Sequence, residues 1–264
     1  MRNIKFSIVT IVYNEQSYIE RTLQSVVNQS YANFEYLVID GYSTDDTVLI
    51  INKYIKNIKF FVSEPDSGLY DAMNKGIIHS TGDYIIFMNG GDRFATNDVL
   101  DLLSKELSKD DRVIDFVYGD SYVCYENSEI EFYKKARNAK YLWYGMFANH
   151  QAMFYRLSLV KSNNLLFDLN YKISADYKFT VDFLKFCSTK LYINRPFCVF
   201  RLGGASVVQR DLGLFEAEKI RKFSLGYTIP VILSIRILIY SARFLEDRLS
   251  WLHKYLRFSN LSTN

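Results

Sequence analysis

Four short polar stretches hold the acidic residues best placed for chemistry: Tyr13-Asn14-Glu15, Asp40-Gly41, Glu64-Pro65-Asp66 and Asn89-Gly90-Gly91-Asp92. Each directly follows an apolar run. The last sets a carboxylate beside two glycines, where backbone can approach a ligand closely. Such a corner suits a divalent cation held by one or two carboxylates and by substrate phosphates. It suits an ordinary turn or cap aspartate equally well. Farther along, Asp176 opens a helical pattern in Ser174-Ala175-Asp176-Tyr177, a position that favours capping. Asp120, in Tyr118-Gly119-Asp120, reads as a strand-end turn or as a residue facing a substrate, and His150 reads as a turn residue or a ligand contact.

The elements that must position these residues follow from periodicity. Phe6 to Val12 is a continuous apolar run, which suits a strand buried on both faces. Ile19, Leu23, Val26 and Val27 recur at helical spacing. Phe34 to Ile39 reads as a second strand, with Thr44 or Asp45 capping a helix through Ile51 and Tyr54. A strand over 59–62, a helix over 69–79 and a strand over 84–88 complete the first half. Strand–helix repetition with short connections predicts an α/β fold built on a parallel sheet flanked by helices. Ligands then bind beyond the carboxyl ends of the strands, where the four acidic corners lie. Later segments predict a helix over 99–107, β structure over 116–125 and 130–133, a strand over 152–155, a helix over 175–186 and an extended run over 192–201 ending at Gly203-Gly204.

Composition excludes several classes. Twenty-one Tyr and twenty Phe against three Pro, in 264 residues, describe a dense folded core and not a disordered chain. Cys124, Cys187 and Cys198 form no CxxC pair, and His79, His150 and His253 are too scattered for a zinc cage. Three unpaired cysteines fit a reducing compartment. The chain starts Met-Arg-Asn-Ile and enters a strand without an apolar leader, so a cytoplasmic location is expected.

The runs IVTIVYNE, LQSVVNQSYANFEYLVIDGYSTDDT, EPDSGLYDAMNKGI and TGDYIIFMNGGDRF resemble the N-terminal half of family-2 glycosyltransferases in order and spacing. The resemblance implies a GT-A fold, a Rossmann-like, mostly parallel central sheet that binds a nucleotide at its first half and an acceptor at its second. Val12, Tyr13 and Glu15 then lie where the family receives base and ribose, and Asp40 where it contacts the base. Asp66 and Asn74 fall in the stretch that closes over the nucleotide. Asn89, Gly91 and Asp92 occupy the diphosphate and metal motif, with Asp92 as the ligand of Mg²⁺ or Mn²⁺. That motif commonly holds two or three aspartates; here Asp92 stands with Asn89 and two glycines. The strand-2 motif also departs, reading Asp40-Gly41-Tyr42-Ser43 where Asp-Asp-Gly-Ser is common.

In the second half, His150-Gln151, Ser174-Ala175-Asp176-Tyr177 and Gly203-Gly204-Ala205-Ser206 also resemble the family. Asp176 falls where the family places its catalytic base. An inverting sugar transfer needs such a carboxylate on the acceptor face to take the hydroxyl proton. The reaction implied moves a sugar from a nucleotide diphosphate-sugar onto a saccharide hydroxyl, lipid-linked by analogy with bacterial surface-polysaccharide assembly. A nucleotidyltransferase is disfavoured, because the Val-Tyr-Asn-Glu corner has neither glycine nor a base to grip a triphosphate. A non-catalytic sugar-nucleotide binding or scaffold protein is the remaining alternative.

Residues 216–264 hold eight Lys or Arg against four acids, so the tail carries the whole positive excess of a chain whose net charge is +3. Leu225 to Leu245 is apolar but broken by Pro230, Arg236 and Arg243, which argues against a membrane span. With Trp251 nearby, it predicts an amphipathic helix in a membrane interface, or one packed on the domain or on a second subunit as a homo-oligomer. The organisation expected is a domain over 1–215, with a nucleotide half (1–95) and an acceptor half (96–215), then a helical tail over 216–264.

Overall fold

The computed structural model describes residues 3–109, 112–125, 128, 130–203 and 209–248. Strand β1 (Phe6–Val12) is buried along all seven residues, which is why its sequence does not alternate. Phe6 and Ile8 enter the core on one face of the sheet, and Val9 and Ile11 enter the core on the other. Helix α1 (Ile19–Val27) buries Ile19, Thr22, Leu23 and Val26 on the first face. Strands β2 (Phe34–Asp40) and β3 (Phe60–Ser63) continue the sheet in parallel. Between them α2 (Thr47–Asn52) is shorter than its pattern predicts. Neither Thr44 nor Asp45 is its N-cap; Asp46 holds that position, while Asp45 accepts the Thr47 amide at 3.0 Å. The chain then turns through Tyr54 into a short 3₁₀ segment, so the apolar spacing there continues without a continuous helix.

Helix α3 (Leu69–His79) covers the opposite face and leads into β4 (Tyr84–Phe87), which pairs with β1. The sheet order is β3-β2-β1-β4-β8 (Met153–Arg156)-β6 (Phe116–Tyr125)-β9 (Lys190–Leu202)-β5 (Arg93–Phe94), with β7 (Glu131–Lys134) added on β6. The chain therefore moves outward from β1 to β3 and then crosses back to β4 on the other side of β1. That reversal opens a crevice at the carboxyl ends of β1 and β4.

Beyond β5 (Arg93–Phe94) and α4 (Val99–Lys109) the sheet becomes mixed. Strand β6 (Phe116–Tyr125) pairs with β7 (Glu131–Lys134) and with β8 (Met153–Arg156), both antiparallel. It runs parallel to β9 (Lys190–Leu202), with a register irregularity at Asp120. Asp120 fills that irregularity, accepting bonds from the Tyr192 hydroxyl at 2.8 Å, the Ala136 amide at 2.7 Å and the Tyr133 hydroxyl. Its role is structural. Helices α5 (Leu157–Ser162) and α6 (Ala175–Leu184) follow β8, and α6 packs Ala175, Phe179 and Phe183 into the second core layer.

Helix α7 (Arg210–Phe223) crosses the boundary expected at 215/216 and buries Glu216, Ile220 and Arg221. The tail therefore does not separate from the domain at that point. Helix α8 (Ile229–Arg248) packs Ile232, Ile235 and Ile239 inward, while Arg236 forms an ion pair with Glu218 of α7. Leu233, Ile237, Leu238, Tyr240 and Phe244 stay exposed. No described helix is long and apolar enough to cross a membrane. Trp251 and Gly204-Ala205-Ser206 lie outside the described residues.

Candidate active site

The crevice at the sheet's reversal is a cavity of about 610 Å³. Val12 at the end of β1, Tyr13 and Glu15 just after it, and Asn89, Gly90 and Asp92 after β4 line it. The corners after β1 and β4 face this cavity because the apolar runs before them are strands ending at this edge. The β1 and β2 corners are stitched together: the Asn14 amide donates to Ser43 Oγ at 2.8 Å, and the Thr44 amide donates to Asn14 Oδ1 at 2.8 Å. Tyr13 stays 60% exposed at the mouth, leaving a ring face open to a planar ligand. Asp66 closes over Gly41, where an added Cβ would stand 2.7 Å from its Oδ2.

Two expected contacts lie elsewhere. Asp40 is fully buried behind the cavity wall, accepting bonds from the Ser43 amide at 3.0 Å and from Ser63 Oγ at 2.6 Å. It shapes the turn after β2 and joins β2 to β3. Asn74 does not line the cavity either. Its side chain both donates to the Phe167 carbonyl at 2.9 Å and accepts from the Phe167 amide at 2.7 Å, pinning α3 to the loop before α6. Both side chains are taken by the fold because a buried amide or carboxylate must satisfy its polar atoms.

Asp92 lines the cavity just after β4 and is 4% exposed. Its Oδ1 accepts the Arg201 amide at 2.9 Å and its Oδ2 accepts Gln151 Nε2 at 2.8 Å. Burial pushes its carboxyl up to about 7, against the pull of these donors. The Arg201 guanidinium bonds Glu15 Oε2 at 2.6 Å and stacks 3.7 Å above the Tyr18 ring. Gly91 adopts a φ of +93°, and a Cβ there would meet that guanidinium at 2.6 Å. Glycine is needed for both the backbone and the space. The sequence named Gly91 but not the arginine it makes room for; the only hint of Arg201 was its place at the end of an extended run, beside Gly203.

His150, Lys172 and Asp176 line the same cavity. Asp176 sits in the first turn of α6 and accepts the Tyr177 amide at 2.7 Å. Burial pushes its carboxyl up to about 6, and the nearby Glu216 charge adds to the effect. His150 stacks on Phe87, and burial drives its pKa down to about 3. Burial thus favours its neutral form, and its buried Nε2 lacks a hydrogen-bond partner.

Among the described residues no group of three or more His, Cys, Asp and Glu could hold a metal ion. The donors present still fit a hard cation that takes most of its ligands from phosphate and water. Asp92 supplies one carboxylate, and Asn89 Oδ1 is a buried oxygen with no hydrogen-bond partner.

The family model for glycosyl transferase family 2 matches residues 7–162, more than half of the chain. The chain belongs to glycosyltransferase family 2. An uncharacterized glycosyltransferase of Mycobacterium tuberculosis is 35% identical over 181 residues, 66% of either chain, so the present chain spans about two thirds of that relative's length. Staphylococcus aureus TarS 1–349 in complex with UDP-GlcNAc superposes with a TM-score of 0.69 at 17% identity, over 86% of this chain and 68% of that one. Mannosyltransferase PcManGT from Pyrobaculum calidifontis, in complex with GDP-Man and Mn²⁺, does so with a TM-score of 0.59 at 14% identity, over 97% of this chain and 82% of that one. The fold is thus the GT-A fold that the sequence resembled. GT-A enzymes of this family commonly use divalent metals.

Proposed function

We propose that the protein transfers a sugar, with inversion, from a nucleoside diphosphate-sugar to an acceptor hydroxyl. The observation that carries this reading is a single cavity lined by Tyr13, Glu15, Asn89 and Asp92 and also by the half-buried carboxyl of Asp176. The nucleotide half comprises 1–95. Tyr13 stacks on the base, Asp66 and Gly41 bound the ribose, and the Arg201 guanidinium approaches the diphosphate from the side of Glu15. A sugar bound there extends toward Asp176. As the acceptor oxygen bonds to the anomeric carbon and the bond to the diphosphate breaks, Asp176 takes the hydroxyl proton.

A carboxyl held near 6 is ionised at neutral pH and yet more basic than one in water. Asp92 and Asn89 would hold Mg²⁺ or Mn²⁺, which neutralises charge on the departing diphosphate when bound. The UDP-GlcNAc of TarS and the GDP-Man and Mn²⁺ of PcManGT support a donor and a metal of these classes.

The acceptor half begins at residue 96. The exposed apolar face of α8, on a tail that carries the chain's positive excess, fits the anionic inner face of a membrane. A lipid-linked saccharide would present its hydroxyl from that surface, as surface-polysaccharide synthesis in the cytoplasm requires. One observation favours a binding or scaffold role instead: both Asp92 oxygens already accept protein hydrogen bonds. The test is incubation with UDP-GlcNAc and GDP-mannose plus a bacterial lipid extract, with the product's anomeric configuration read by NMR. Inverted product is expected. Retained configuration contradicts the base, and donor binding without product favours the scaffold.

A further inference from the structure

The loop that delivers Asp176 to the cavity is held from outside the region matched by the family model. Three successive backbone amides, those of Lys172, Ile173 and Ser174, converge on one carboxylate. Glu216 of α7 accepts them at 2.7 Å, 2.9 Å and 2.8 Å, and Glu216 is only 4% exposed. Successive amides just ahead of a helix N-terminus form the kind of cradle that binds a phosphate or carboxylate. Here the chain fills its own cradle.

Two further bonds hold the same loop. Ser174 Oγ donates to the Gly213 carbonyl at 3.0 Å, and the Tyr70 hydroxyl donates to the Ile173 carbonyl at 2.6 Å. One turn farther along α7, the buried Arg221 donates to the carbonyls of Trp143 and Tyr144, at 2.9 Å and 2.8 Å. That segment runs on to Met146 and Ala148, which line the cavity with Lys172 and Ile173. Helix α7 thus grips both loops of the acceptor wall by their backbones, and it also carries α8 through Glu218 and Arg236.

We propose that Glu216 is a positioning residue for transfer: by gathering the amides of Lys172, Ile173 and Ser174 it fixes where Asp176 stands relative to the acceptor hydroxyl. The proposal rests on Asp176 being the base. Glu216→Gln keeps the shape but replaces an accepting oxygen with an amide that must face N–H donors. Displacing a reacting group by about 1 Å can cost on the order of 100-fold in rate. The donor half, built on β1 to β4, supplies none of the three amides and meets the loop through the Tyr70 hydroxyl on the Ile173 carbonyl.

The test compares wild type, Glu216→Gln and Asp176→Asn in UDP binding by calorimetry and in UDP release from UDP-GlcNAc. Glu216→Gln is expected to bind UDP with wild-type stoichiometry and Kd while turnover falls about 10- to 100-fold. Wild-type turnover in Glu216→Gln, with Asp176→Asn impaired, overturns the proposal. So does a fall in UDP stoichiometry matching the fall in rate, which would mark a purely structural role. Wild-type turnover in Asp176→Asn overturns the base assignment instead.

A second readout needs no donor. Glu216 from α7 is the charged group that raises Asp176, while Tyr70 from α3 and Tyr155 from β8 stand near it as neutral phenols, Tyr70 as a hydrogen-bond donor. Removing the Glu216 charge lowers the Asp176 titration midpoint followed by carbon NMR. An unchanged midpoint overturns the proposal.

Discussion

The two ends of the parallel strands treat buried carboxylates in opposite ways. At the amino end, Glu35 accepts bonds from Lys5 and Lys59 at 2.7 Å each, from Ser7 Oγ and Thr81 Oγ1 at 2.6 Å each, and from the Thr81 amide. These donors outweigh the cost of burial, so its pKa lies far below the usual carboxylate range. At the carboxyl end, Asp176 and Asp92 have fewer donors than burial demands, and their carboxyls rise to about 6 and about 7. A saturated carboxylate ties strands together. An undersupplied one keeps capacity for a proton, a metal or a substrate.

The largest effect expected from breaking this contrast is catalytic. Asp176→Asn removes the proposed base, and sugar transfer should fall about 100- to 10,000-fold. Calorimetric UDP affinity should stay within about 2-fold, because that residue faces the acceptor wall. Transfer above that range would move the base elsewhere. In wild type the rate should drop as pH falls through about 6, where Asp176 becomes protonated.

Stability should separate the two ends by sign. Glu35 has a depressed folded pKa, so its contribution is present above the unfolded pKa and lost as pH falls. Its lysine partners are partly exposed, which weakens those pairs. Glu35→Gln should therefore cost on the order of 2 kcal/mol at pH 7, read by urea unfolding, and the cost should shrink gradually as pH falls below the unfolded carboxylate value toward the depressed folded one. Asp176 has a raised folded pKa, so its contribution is present below the unfolded value and lost as pH rises through about 6. Asp176→Asn should thus gain stability over wild type at pH 8, on the order of 1–2 kcal/mol, and the gain should vanish near pH 4. Equal pH profiles for the two variants would dissolve the comparison.

A smaller effect is expected at Arg201. Arg201→Gln removes a guanidinium that lies between Glu15 and the Asp92 corner, and UDP affinity should weaken roughly 10-fold. Smallest is the tail: Leu238→Glu on the exposed face of α8 should reduce sedimentation with anionic vesicles several-fold and leave UDP binding unchanged.

The contrast also explains what the sequence made legible. Glu15, Asn89 and Asp92 could be placed because each follows an apolar run that had to be a buried strand, and such strands end at one edge. Asp40 and Asn74 stand in the right motifs, yet their side chains turn into the fold to satisfy Ser63 and the Phe167 backbone. Motif spacing does not report side-chain direction. Arg201 and Glu216 went unseen, and Gln151 stood in its motif without its partner, for another reason. Their partners Asp92 and Ser174 lie between 42 and 109 residues away, and no local pattern encodes such pairings.

The most direct measurement is calorimetric titration of UDP into wild type and Asp92→Ala, with and without Mn²⁺. The account predicts that wild type binds UDP more tightly with Mn²⁺ and that Asp92→Ala loses this gain. Failure of either protein to bind UDP, GDP or another nucleoside diphosphate would contradict the placement of the donor site at the ends of β1 and β4.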